Sequence, residues 1–178
     1  MAFCVGMWYT VDHKDITSCS EKEVRRLGSL AFNGNVSHTI DPKGRATIPV
    51  SYRESLGENF TVALNSEANA LALYPVDQWQ MIESDLNRIP TIDARGMRYK
   101  RSILGNSFPE QQLDGQNRVL LPMTLRQRVG IDRNVRFVGV GTHLEVWPEE
   151  SFLEEMEDAT SDRDELLSYV MGRYYPPQ

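Results

Sequence analysis

Short apolar runs separated by turn residues dominate the middle of the chain, rather than long helical stripes. Phe60–Leu64, Ala70–Tyr74, Val135–Val140 and His143–Trp147 each read as a strand, and Pro75 and Pro148 follow where a ladder must stop. Shorter strand-like runs precede them at His38–Ile40 and Arg45–Ile48, and again at Gln111–Leu113 and Arg118–Leu121. Pro49 and Pro122 open two short helices, Ser51–Leu56 and Thr124–Val129, with Gly57 and Gly130 placed for the C-caps. The period changes after Pro75. Trp79, Ile82, Leu86 and Ile89 recur at helical spacing, with Asp77 expected as N-cap and Pro90 as terminator. A second helix is predicted over Ile92–Leu104, ended by Gly105, and two more over Glu149–Thr160 and Asp164–Met171.

These elements come in two sets. Ile40-Asp41-Pro42-Lys43-Gly44-Arg45-Ala46-Thr47-Ile48-Pro49 aligns with Leu113-Asp114-Gly115-Gln116-Asn117-Arg118-Val119-Leu120-Leu121-Pro122 at an offset of 73. The same offset pairs Arg53 with Arg126, Gly57 with Gly130, Val62 with Val135, Leu73-Tyr74-Pro75 with Val146-Trp147-Pro148, and Trp79 with Phe152. A constant offset without a gap over this span indicates duplication. Each copy is a β-β-α-β-β unit within an α+β chain. A unit of that size leaves an apolar sheet face exposed and needs a partner. The two copies are therefore expected to pack around a pseudo-two-fold axis. The predicted organisation is an extension over 1–31, unit 1 over 35–78, a helical connector over 79–107, unit 2 over 108–151 and an acidic helical tail over 152–178.

Composition is that of an ordinary globular protein, 40% hydrophobic and 25% charged, so a core of useful size is possible. No apolar run is long enough for a transmembrane helix, and the N-terminus lacks the pattern of a signal peptide. Cys4 and Cys19 have no metal-ligand spacing and are expected to be reduced thiols. The net charge of −6 at first argues against nucleic acid. Residues 149–178, however, hold nine acids against two bases, a net −7, which leaves +1 for the other 148 residues. Local clusters rather than the global sum decide phosphate contact. Catalysis has no support. His13, His38 and His143 are scattered, no nucleophile elbow or P-loop occurs, and Gly139-Val140-Gly141 is followed by Thr-His-Leu rather than a dinucleotide fingerprint. No cofactor, metal, small-molecule substrate or membrane partner is expected.

The doubled turn is the candidate site. Asp41 and Asp114 stand at strand ends, where a carboxylate accepts N–H bonds from its own turn. Gly44 and Asn117 occupy equivalent positions and tolerate positive φ. Arg45 and Arg118 leave on the far strand with forks suited to a phosphate or a guanine edge. The competing reading is an internal salt bridge that stabilises the hairpin. An exposed pair of that kind contributes only about 0–1 kcal/mol, a weak reason to keep it twice. Lys43 at the first tip suits a phosphate, whereas Gln116 and Asn117 offer amides without charge. Arg53 and Arg126 on the short helices are either phosphate contacts or a solvated face. Pro49 and Pro122 are structural. Arg95, Arg98, Lys100 and Arg101 form a solvated face, a basic rim for DNA or an ion-pair seam to another subunit.

Phe32-Asn33-Gly34, Ile40–Arg45, Ile48-Pro49, Tyr52-Arg53, Leu73-Tyr74-Pro75, Trp79, Leu104-Gly105-Asn106, Leu113-Asp114, Arg118, Leu121-Pro122, Leu125-Arg126, Gly139 and Glu145-Val146-Trp147 together resemble the MraZ family over about residues 32–155. The resemblance implies a tandem pair of SpoVT/AbrB-type swapped-hairpin units. It implies a cytoplasmic, nucleoid-associated transcription regulator, expected to be an autorepressor. Such a protein binds short direct repeats of double-stranded DNA upstream of its own gene, at the head of the division and cell-wall cluster, and assembles into rings. Asp41, Arg45, Asp114 and Arg118 match the family's DNA-binding positions, and Lys43 matches a basic one. Residues 1–31 precede the usual family start and are read as a lineage-specific arm or an upstream start codon. The less basic second turn departs from the first. AbrB-like folds also occur in antitoxins, so an antitoxin-like protein holding a partner through the acidic tail is the alternative.

Overall fold

A computed structural model describes residues 32–175. Cys4, Cys19, His13 and the extension expected over 1–31 lie outside the described residues. The first copy supplies β1 (Asn35–Thr39), β2 (Arg45–Thr47), α1 (Val50–Leu56), β3 (Phe60–Leu64), β4 (Leu71–Pro75), α2 (Val76–Asn87) and α3 (Ala94–Leu104). The second supplies β5 (Ser107–Gln111), β6 (Arg118–Leu120), α4 (Met123–Val129), β7 (Asn134–Gly139), β8 (Leu144–Pro148), α5 (Glu149–Ser161) and α6 (Arg163–Tyr174). The repeat thus extends past the sheet strands into the helices that follow them.

The copies exchange strands. One antiparallel sheet runs β1-β7-β8-β4-β3-β5, and a second pairs β2 with β6. The first strand of each copy lies beside the third strand of the other. Read from either end, the six-strand order is the same once the copies are interchanged. The register places the symmetry axis on particular residues. Ala46 pairs with Val119, and Ala72 pairs with Glu145. Both pairs are separated by the repeat offset, so each residue faces its own counterpart.

Burial explains the exchange. Ile48, Leu56, Phe60 and Val62 of the first copy share one core cluster with Leu121, Leu125, Val135 and Phe137 of the second, all almost fully buried. At roughly 25 cal/mol per Å² of apolar surface, a shared core stabilises what neither small sheet achieves alone. β3 is buried at every position, FTVAL, because both faces are covered. Phe60, Val62 and Leu64 lie in the common core, and α2 packs on β3 and β4 with Trp79 beside Tyr74, ring centres 5.6 Å apart. α5 packs equivalently on β7 and β8, where Phe152 meets Trp147. Gly139 of β7 leaves room for the chain entering β1: an added Cβ would lie 2.4 Å from the backbone of Phe32 and Asn33.

Several boundaries differ from the sequence reading. β1 begins at Asn35 and ends before Ile40, because its length is set by β7, more than 90 residues away. β5 ends at Gln111 rather than running over Gln111–Leu113. Its register against β3 shifts between Phe60 and Val62, and Glu110 has φ +56°. Asp77 is not an N-cap. α2 starts at Val76 with Pro75 in the cap position, and Asp77 sits in the first turn, where its charge suits the helix dipole. The side-chain cap occurs one helix later. Asp93 accepts from the N–H groups of Arg95 and Gly96, so α3 starts at Ala94 rather than Ile92. Among the described residues no helix is long and apolar enough to cross a membrane.

Candidate nucleic-acid interface

Both turns are built alike. Asp41 N–H donates to the Arg45 carbonyl and Gly44 N–H to the Asp41 carbonyl; Asp114, Arg118 and Asn117 repeat the pattern. Gly44 and Asn117 adopt φ of +83° and +58°, the left-handed region that the turn requires. The turns also lock to each other. The Gly44 carbonyl accepts from Leu121 N–H, and the Asn117 carbonyl accepts from Ile48 N–H, at 3.0 Å each. With β2 pairing β6, this sets the two turns side by side across the symmetry axis.

Four charges meet at that seam. Asp41 Oδ1 accepts from the backbone N–H of Lys43 and Arg45, and Asp114 Oδ1 from those of Gln116 and Arg118. Each Oδ2 takes the arginine of its own turn. Arg45 Nε and Nη2 lie 2.8 and 2.7 Å from Asp41, and Arg118 Nε and Nη2 lie 2.8 and 2.7 Å from Asp114. The contacts also cross between copies: Arg45 Nη1 is 3.8 Å from Asp114, and Arg118 Nη1 is 3.6 Å from Asp41. The internal salt bridge weighed from sequence therefore forms in both turns and leaves only part of each fork to an outside ligand. The four side chains remain 22–34% exposed, so the seam is open to solvent.

The ion pairs shift the titrations. Bonds to the Arg45 backbone N–H and then to its guanidinium hold the Asp41 carboxyl below the usual range. The Arg118 guanidinium does the same at Asp114, lowering it to about 2, and Asp114 in turn raises Arg118. A depressed carboxylate stabilises the fold fully above its unfolded value, near 4, and the contribution fades as pH falls through the folded value. Wild type should thus lose more stability than a D114N chain between about pH 4 and about pH 2. Parallel urea titrations check this, and identical pH profiles would refute it.

The remaining candidates are placed around the seam. Lys43 is exposed at the tip of the first turn, with Gln116 and Asn117 exposed on the second. Arg53 and Arg126 are half-buried, and each Nε donates to the carbonyl ahead of its helix, Ile48 and Leu121 respectively. Arg126 reaches the other copy's turn. A Cβ on Gly44 would stand 2.5 Å from its Nη2, so the Arg126 guanidinium lies against the turn that carries Lys43 although the two come from different copies. The cross-copy contacts escape sequence reasoning, which treats each turn alone. The one usable signal is that Ala46 and Val119, next to the arginines, are equivalent positions. Among the described residues no group of three potential metal ligands occurs.

Comparison with known proteins gives the same two-part division. The family model described as "MraZ protein, putative antitoxin-like" matches residues 31–101 and 108–165. A transcriptional regulator MraZ of Syntrophomonas wolfei is 40% identical over 140 residues, covering 79% of this chain and 96% of that protein. Proteins of the same name from Desulfitobacterium hafniense and Shewanella baltica are each 34% identical, covering 76% and 77% of this chain and 96% and 93% of their own lengths.

Proposed function

The chain belongs to the MraZ family, and from that premise we propose that it is a sequence-specific DNA-binding transcriptional regulator without enzymatic activity. One observation carries this reading: two Asp–Arg turns, brought from opposite halves of the chain, share one open seam on the symmetry axis. A doubled β-turn of this size fits the major groove of a duplex, with Arg45 and Arg118 at base edges and Lys43, Arg53 and Arg126 near phosphates. Asp41, Asp114, Gln116 and Asn117 complete the contact surface. The exchanged strands support two SpoVT/AbrB-type swapped-hairpin units over 35–78 and 108–151.

A single seam offers few contacts, so binding depends on several seams engaging successive direct repeats, with avidity supplying the rest. The DNA is the promoter region ahead of the protein's own gene in the division and cell-wall cluster. The protein represses that gene and works in the cytoplasm at the nucleoid. Footprinting of the purified protein on its own upstream region tests the reading. Protection of regularly spaced short repeats is expected, and uniform or absent protection would rule it out. An operator cut to one repeat should bind far more weakly than the intact one.

The helices support a ring oligomer. α3 carries Arg95, Arg98, Lys100 and Arg101 with no acid, while α5 and α6 carry most of the tail's nine acids. The basic and acidic faces are different surfaces, so copies associate head to tail, the arrangement that closes into rings. R95E/R98E/R101E should lower the mass measured by light scattering at physiological salt and weaken operator binding with it. An unchanged mass would remove the charge argument. The family description and the exposed Leu166, Leu167, Val170 and Met171 of α6 favour, as a second reading, an antitoxin-like partner site on the tail. Copurification of a small protein lost on deleting residues 156–178 would support it.

A further inference from the structure

Each seam carboxylate has two jobs, and only one of them shapes a turn. Oδ1 is committed to two backbone N–H groups, whereas Oδ2 is committed to the guanidinium groups. We infer that Asp41 and Asp114 are specificity-determining residues: they neutralise and aim the Arg45 and Arg118 forks so that the seam accepts a neutral base edge and disfavours a phosphate. This rests on the DNA-binding reading above.

Two carboxylates and two guanidinium groups sum to zero charge, so the seam lacks the net attraction for phosphate that dominates indiscriminate DNA binding. Bonds at both Nε and Nη2 fix each fork and remove rotamer freedom before any ligand arrives. The donors left over are the second N–H of each Nη2 and both N–H groups of each Nη1; the Nη1 atoms are the ones that face the opposite turn. They lie 3.6 and 3.8 Å from the opposite carboxylates, too far for hydrogen bonds, and make none among the described residues. A guanine O6 or N7 reaching Nη1 supplies an uncharged acceptor. A phosphate oxygen reaching the same atoms brings a negative charge against two carboxylates. The crossed contacts add a second consequence: each carboxylate faces both arginines, so losing either one loosens the aim of both.

Asparagine separates the two jobs, because it keeps an Oδ1 acceptor for the turn and removes the charge. The full chain and its D41N/D114N variant are titrated against the promoter fragment and a shuffled duplex of equal length and composition, over a series of salt concentrations. Wild type should discriminate strongly. The variant should bind the shuffled duplex about tenfold more tightly, with a steeper salt dependence and discrimination reduced at least about tenfold. Unchanged discrimination, or equal losses on both duplexes at unchanged melting temperature, would overturn the proposal while leaving the DNA-binding reading intact. A wild-type chain that binds neither duplex would overturn both. Should the double variant not fold, D41N and D114N singly must each reduce discrimination in the same direction, and two singles that discriminate like wild type would refute it. D41A, which also removes the turn acceptor, should lower the melting temperature more than D41N; equal losses would place the Asp41 effect outside the turn.

Discussion

R45A/R118A should abolish detectable binding to the promoter fragment while leaving the fold and the oligomer in place. Both arginines sit on strands whose backbone pairing, Arg45 with Leu120 and Thr47 with Arg118, does not involve their side chains. Each truncation removes a fork that supplies roughly ten- to a hundredfold discrimination at a guanine edge. The double truncation does more than remove two contacts. It leaves Asp41 and Asp114 without their partners and turns a neutral seam into one of charge −2 facing the DNA. On the proposed multivalent mode the loss multiplies, because every seam engaged along the repeats would be damaged at once. The single variants should be unequal. R45A removes the fork beside Lys43 and Arg126, the most basic part of the platform, whereas R118A removes the one beside uncharged Gln116 and Asn117. Fluorescence anisotropy at fixed salt, with mass and melting temperature recorded in parallel, reads all three. Unchanged affinity in both singles and in the double would end the DNA-contact assignment.

Much of this site was legible because its determinants are local. The turn shape follows from Asp41 and Asp114 with Gly44 and Asn117 three residues later, all within a few residues of chain. The short helices are equally local, since Pro49 and Pro122 fix the entry and Gly57 and Gly130 the exit. Features set by distant partners were not legible. β1 takes its limits from β7, and the β5 register shifts against β3 of the other copy. The largest gap was at the arginines. Read one turn at a time, each fork is either available to DNA or paired with the aspartate of its own turn, and no partner from the other copy is in view. Strand exchange instead places two forks against two carboxylates, and the site becomes a neutral four-charge seam.

The same exchange governs stability, and F137A should show it. Phe137 is fully buried on β7, opposite Val36 of the first copy's β1 and Val146 of β8, with the His38 ring centre 6.0 Å from its own in an edge-on arrangement. Truncating a buried Phe costs about 3–5 kcal/mol through lost transfer energy and the cavity left behind. Total stability of such a protein is about 5–15 kcal/mol, so the urea midpoint should fall by roughly a fifth or more. The pattern of unfolding matters as much as its size. If each copy held its own core, damage in the second would leave the first standing, and two transitions would appear. Among the described residues β1 has its sheet partner only in β7, and β5 only in β3, so neither copy retains a complete sheet once the other opens. A single transition, shifted as a whole, is expected by circular dichroism and, with the third tryptophan, Trp8, replaced by Phe, by fluorescence from Trp79 and Trp147, one in each repeat. I92A on the exposed surface should change stability by no more than about 0.5 kcal/mol. Measured at one protein concentration, non-coincident transitions in F137A would contradict a core shared through exchanged strands, because only separable cores permit one half of the chain to melt first.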